Sequence, residues 1–272
     1  MKKNKTLLIG NWKLNPTTEK QAVSLFKNIT KQAAPIRGID FAICAPAIYL
    51  SPLRKSYRGK KVSLGAQNIY PEASGAHTGE VSAKQLRDIG IEYVICGHSE
   101  RRREISAGGA GETDEVVATK VQSVLKEKLI PVVCVGEWER DHAGHYLKFL
   151  EDQIAASLKG LSAAALSKIV IAYEPVWAIG GNAGSAINGH ELHQVMLYIR
   201  KVLTSVWGKT AASKATIIYG GSVKPENAYD LTAEGMMDGF LPGGASLKAE
   251  SFIGIAKEIQ RAHKDANKAT SN

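Results

Sequence analysis

Short apolar, β-rich runs return along the chain at intervals of about thirty residues, the length of one strand–helix–strand unit. They cover residues 7–11, 41–45, 62–67, 93–97, 131–135, 169–173, 216–219 and 239–241. Several lack the polar/apolar alternation of a strand with one wet face. Runs of that kind are buried on both faces, which makes them parallel strands covered by helices.

Amphipathic helical stretches fill the gaps. Residues 17–32 open on Pro16 and Thr17, with Lys20 and Gln21 behind them, and set Ala22, Leu25, Phe26 and Ile29 on one stripe. Residues 113–128 carry acids in the first turn and point Val116, Val117, Val121, Val124 and Leu125 inward. Residues 146–158, 191–206 and 247–262 repeat the pattern, and Gly90 ends a shorter helix over 84–89. Eight strand–helix units without a break in composition predict an α/β chain closed into a single (β/α)8 barrel over 1–262. Residues 263–272 read as a polar tail that frays. An open doubly wound sheet is the alternative. It asks for a glycine loop after the first strand, where this chain has Asn11-Trp12-Lys13-Leu14-Asn15.

The 272 residues are 44% hydrophobic and 22% charged, which excludes a disordered or collagen-like chain. Lysine and arginine outnumber the acids 35 to 26, for a net charge of +9. The positive residues are scattered, and the densest group, Arg101-Arg102-Arg103, is flanked by Glu100 and Glu104. No basic–aromatic alternation tracks a nucleic-acid strand, so no nucleic-acid partner is expected. A small anionic substrate suits the balance as well. Cys44, Cys96 and Cys134 each sit inside an apolar run and read as buried thiols of a reducing compartment. No zinc-type spacing is present. Leu7-Leu8-Ile9 is too short for a signal-peptide core, and no run approaches a membrane span. The chain is expected to be cytoplasmic, with no membrane partner.

Chemistry in a parallel barrel gathers where strands end. The first run ends in Asn11-Trp12-Lys13, the fourth in Gly97-His98-Ser99-Glu100 and the sixth in Glu174-Pro175. The seventh ends in Gly220-Gly221-Ser222 and the eighth in Gly243-Gly244. Each residue has a bland reading: a surface lysine, a satisfied core histidine, a salt-bridged carboxylate, two tight turns. Together they place a cation, an imidazole, a carboxylate and two glycine-rich turns on one rim. Gly243-Gly244 precedes a helix starting near Ser246, so exposed N–H groups there suit a phosphate, with Ser222 adding a donor and Lys13 the opposite charge. After Glu174, a stiff apolar stretch (Pro175 to Ile179) gives way to small residues over 180–185, the composition of a lid that moves as a body.

Taken in order, Asn11-Trp12-Lys13, Gly65-Ala66-Gln67-Asn68, Gly97-His98-Ser99-Glu100-Arg101-Arg102, Tyr173-Glu174-Pro175-Val176-Trp177, Tyr219-Gly220-Gly221-Ser222-Val223 and Gly243-Gly244-Ala245-Ser246-Leu247 resemble the triosephosphate isomerase family over residues 7–259. The resemblance implies a TIM barrel that interconverts dihydroxyacetone phosphate and D-glyceraldehyde 3-phosphate through an enediolate, with no metal or cofactor. Glu174 would be the base and neutral His98 the group that polarises the carbonyl, an arrangement that belongs to this family itself. Lys13, with Asn11 beside it, would stabilise the enediolate, and Glu100 would help orient the network. Gly180, Ser222, Gly243 and Gly244 would hold the phosphate. The family is usually dimeric, so a homodimer is implied, with loop 68–80 and Thr78 at its tip reaching into the partner.

The chain departs from the family pattern twice. The lid reads Gly181-Asn182-Ala183-Gly184-Ser185-Ala186 where the family usually has Thr-Gly-Lys-Thr-Ala after the first glycine. Residues 103–110 form a longer link than usual. An altered lid raises the alternative of an isomerase for a four-carbon ketose phosphate, which a coupled assay on both substrates separates. A non-catalytic barrel that only binds is the other alternative, and Lys13, His98 and Glu174 together speak against it.

Overall fold

A computed structural model describes residues 5–103, 111–141, 143–179 and 187–269. Among them, eight strands close a barrel in sequence order, each parallel to both neighbours. They are β1 (Thr6–Asn11), β2 (Ile39–Ala45), β3 (Val62–Ala66), β4 (Tyr93–Cys96), β5 (Ile130–Val135), β6 (Val170–Tyr173), β7 (Thr216–Tyr219) and β8 (Gly239–Phe240). The helices of the described residues are α1 (Glu19–Ala33), α2 (Ala47–Ser56), α3 (Ala83–Asp88), α4 (Ser99–Arg102), α5 (Asp114–Lys126), α6 (His145–Ser157), α7 (Ala163–Leu166), α8 (Gly189–Trp207), α9 (Lys209–Ala212), α10 (Pro225–Gly235) and α11 (Ala249–Ala269).

Successive side chains of a strand face opposite sides of the sheet. Leu7, Ile9, Ala42, Cys44, Val132, Cys134 and Ala172 fill the barrel interior. Leu8, Ile43, Val133, Ile171 and Ile217 alternate with them and pack outward against the helices. Both faces are dry, which is why the sequence shows apolar runs in place of alternation.

Four local readings change. The α1 cap is Thr18, not Thr17: its hydroxyl accepts the Gln21 amide at 3.3 Å. Val116 is 39% exposed, because α5 turns Val117, Ala118, Val121 and Val124 inward together with Lys120. That lysine tolerates burial because Nζ reaches Asn68 at 2.6 Å and Glu112 at 2.7 Å. Gly244–Leu247 forms a 3-10 turn, and the long helix starts only at Ala249. Finally, α11 continues past residue 262 to Ala269 where a frayed tail was expected. Side-chain contacts secure the extension: the Thr6 hydroxyl meets His263 Nε2 at 2.7 Å, and Tyr229 donates to Asp265 at 3.3 Å.

Candidate active site

Two residues beyond β1, Lys13 adopts the left-handed backbone region, with φ at 52°. That conformation costs a residue with a Cβ about 1–3 kcal/mol and persists only where its surroundings impose it. Here two side chains do so. Asn11 Oδ1 accepts the Lys13 amide at 3.0 Å, and Gln67 Nε2 donates to its carbonyl at 2.9 Å. Trp12, fully buried between them, donates to the Ser246 carbonyl at 3.1 Å. The turn thus fixes the lysine ammonium 2.7 Å from Glu100 Oε1. Burial works to raise the Glu100 carboxyl, but the hydrogen bond and charge of Lys13 outweigh it and leave the group below its ordinary value.

Past β4 the chain turns at Gly97, whose φ is 70°. A Cβ there would sit 2.7 Å from Val117 and 2.9 Å from Arg102, so glycine is required. Arg102 clamps the same turn by donating to the Gly97 carbonyl at 2.7 Å. His98 follows as the cap of α4, and its Nδ1 accepts the Glu100 amide at 3.1 Å. An amide can only donate, so Nδ1 carries no proton and the neutral ring keeps its proton on Nε2. Nε2 lies 3.5 Å from Glu174 Oε1.

Glu174 leaves β6 almost entirely buried, at 2% exposure. Its Oε2 accepts the Ser99 amide at 3.0 Å. Burial, reinforced by the charge of Glu174 and a hydrogen bond to it, pushes the Cys134 thiol far above its ordinary value. Cys134 therefore stays protonated and is no nucleophile.

A cavity of about 360 Å³ brings Asn11, Lys13, His98 and Glu174 together with Ser222, Gly243 and Gly244. Glu100 stands behind Lys13 and reaches the cavity only through it. Ser246 secures the glycine turn, its hydroxyl donating to the Gly243 carbonyl at 2.6 Å. The amides of Gly243 and Gly244 donate to no protein group among the described residues. Paired backbone donors of this kind suit an anion. Gly180, the rest of 180–186 and residues 104–110 of the longer link lie outside the described residues.

Three further residues shape the site. Gln67 and Ser99 hold Lys13 and Glu174 as described. Glu137, 1% exposed just past β5, gathers three donors on Oε1: Tyr173 at 2.7 Å, Arg140 at 2.9 Å and Trp177 at 3.0 Å. Burial first, then the Glu137 charge, holds the Tyr173 phenol well above its ordinary value, so it remains a donor. The stiff stretch after Glu174 is fastened to the barrel through Trp177.

Polar side chains collected at the carboxyl ends of eight parallel strands, around one cavity, mark the (β/α)8-barrel enzymes. Comparison with known proteins narrows the class. The family model for triosephosphate isomerase matches residues 6–259. The triosephosphate isomerase of Alkaliphilus oremlandii is 41% identical over 252 residues, 92% of this chain and 98% of that protein. That of Rhodopirellula baltica is 43% identical over 252 residues, 92% of this chain and 96% of its own. A crystal structure of triosephosphate isomerase from Bartonella henselae superposes with a TM-score of 0.80 at 34% identity, covering 94% of this chain and 99% of that one. The chain belongs to the triosephosphate isomerase family, and it is an isomerase acting on a small phosphorylated sugar. The four-carbon and non-catalytic alternatives find no support in these relatives.

Proposed function

We propose that the cavity interconverts dihydroxyacetone phosphate and D-glyceraldehyde 3-phosphate, with Glu174 moving the proton between the two carbons. The carboxylate exchanges the Ser99 amide for the substrate C–H, takes the proton and leaves an enediolate. Nε2–H of His98 hydrogen-bonds the carbonyl oxygen and relays the oxygen-bound proton. Lys13 offsets the negative charge, and Asn11 and Glu100 hold Lys13 in place. The phosphate rests on Gly243, Gly244 and Ser222, with Gly180 closing over it as residues 180–186 act as a lid. The observation that carries the reading is the 3.5 Å approach of His98 Nε2 to Glu174 Oε1 in the cavity that Lys13 also lines. The test is turnover of dihydroxyacetone phosphate in heavy water, followed by NMR. Proton transfer through the base puts deuterium on the product carbon; a product free of deuterium indicates a direct hydride shift and overturns the reading.

The same reading extends to assembly. Leu14, on the turn after β1, is 92% exposed, and Ile48, in the first turn of α2, is 77% exposed. Full burial of such a side chain is worth about 1.5–3 kcal/mol. A second copy covering these residues, with its loop 68–80 set beside Lys13, makes a homodimer; a monomer by light scattering at micromolar concentration overturns this. The barrel makes one catalytic domain, which α11 carries past residue 262 to Ala269. A cytoplasmic setting is supported by three buried free thiols. Among the described residues, no helix is long and apolar enough to cross a membrane.

A further inference from the structure

A second cavity, of about 900 Å³, opens at the amino ends of the strands, opposite the catalytic rim. Lys128, Lys168 and Lys214 all line it. Each stands two residues ahead of its strand, before Ile130 of β5, Val170 of β6 and Thr216 of β7. Each stands two residues past a helix, its amide bonded three residues back, to Leu125 at 3.0 Å, Ala165 at 2.9 Å and Ala211 at 3.1 Å, and of the three Lys128 alone takes the left-handed region, with φ at 60°. The pairing of Val170 with Thr216 sets Lys168 level with Lys214, and adjacent strands run about 5 Å apart. Three neighbouring units of the barrel therefore each bring a lysine to the lining of one cavity.

The acids of the cavity are already committed. Asp40 takes Lys5 at 3.0 Å. Asp238 takes Arg200 at 2.9 Å and the Ile217 amide at 2.8 Å. Lys128, Lys168 and Lys214 are exposed and make no ion pair or side-chain hydrogen bond among the described residues. Three like charges around one cavity repel each other, and one monovalent ion cannot neutralise them. An anion with several linked charges at short spacing can, and lysine serves phosphate as a point charge. The cavity opens at the amino ends of the strands, whereas Leu14, Ile48 and loop 68–80 follow the carboxyl ends of β1, β2 and β3, so a dimer formed through those residues leaves it open.

We infer that this cavity is a binding site for a linked polyphosphate, with Lys128, Lys168 and Lys214 each meeting one phosphoryl group. The site is independent of the catalytic rim. The probe is inorganic tripolyphosphate, titrated calorimetrically at low salt into the whole protein and into the triple variant Lys128→Gln, Lys168→Gln, Lys214→Gln. The expected result is one site per chain, tighter than for orthophosphate, weakened about tenfold or more in the variant and weakened by added salt. Isomerase activity stays unchanged in the variant, and its melting temperature without ligand does not fall, since only repelling charges have been removed. Equal affinity in both proteins overturns the inference, as does orthophosphate binding as tightly as tripolyphosphate. Competitive inhibition of the isomerase by tripolyphosphate, identical in both proteins, would locate binding on the rim and overturn it too.

Discussion

The backbone amide of Glu100 donates to Nδ1 of His98 across 3.1 Å. The geometry fixes which ring nitrogen is bare, and Nε2 is the one that faces the cavity and Glu174. Nitrogen-15 NMR of labelled enzyme at neutral pH is expected to show a protonated Nε2 and an unprotonated Nδ1. The reverse assignment would remove His98 as a donor to a carbonyl oxygen.

Glu100 is held below its ordinary value of 4.5: burial pushes it up, and the hydrogen bond and charge of Lys13 more than reverse that. A carboxyl depressed in the folded state contributes stability above its unfolded value and loses it as the pH falls through the folded value. The stability gap between the wild type and Glu100→Gln therefore narrows on acidification from about 4.5 downward. The gap itself is small, because the side chain is 58% exposed. Urea titrations at a series of pH values measure it, and a gap that widens on acidification contradicts the pairing.

Glu137→Gln removes the charge on which Tyr173, Arg140 and Trp177 converge while leaving Arg140 in place. Breaking a buried charge pair in this way costs about 3 kcal/mol. The variant should melt several degrees lower. It should also raise KM for the phosphorylated substrate, since Trp177 anchors the stretch that follows Glu174.

Gly220→Ala tests how closely the base is packed. The added Cβ would lie 2.8 Å from Glu174 Cγ. The carboxylate has to shift, so kcat is expected to fall about tenfold or more, an effect worth roughly 1.4 kcal/mol of barrier. KM should change little. An unchanged kcat would mean that Glu174 has freedom its 2% exposure does not suggest.

The barrel is legible in the sequence because burial on both faces writes each strand as an apolar run. Five of its helices are not: α4, α7 and α9 are four residues each, too short to show an apolar stripe, and α2 and α10 are masked by proline. Pro52 lies inside α2, where a proline argues against a helix, and α10 begins at Pro225 on a weak apolar stripe. On the rim, Lys13, His98 and Glu174 stand out because each is polar directly after such a run. Glu137 bears the same mark after β5, yet its meaning lies in Tyr173, Arg140 and Trp177, which only the fold brings to it. Ser99 acts through its backbone amide, which leaves no trace in residue type. Gln67 sits within a motif, but its targets are the carbonyls of Lys13 and Cys44, far away in the chain.

The convergence of Glu174, His98 and Lys13 on one substrate is tested most directly by Glu174→Gln. Gln fills the same space and can still accept the Ser99 amide, but it cannot take a proton. Steady-state kinetics should show kcat reduced by at least about 10²–10⁴-fold, the usual weight of a general base, while a phosphate-bearing substrate analogue binds nearly as well as to the wild type. Turnover at the wild-type rate would contradict the assignment of Glu174 as the base.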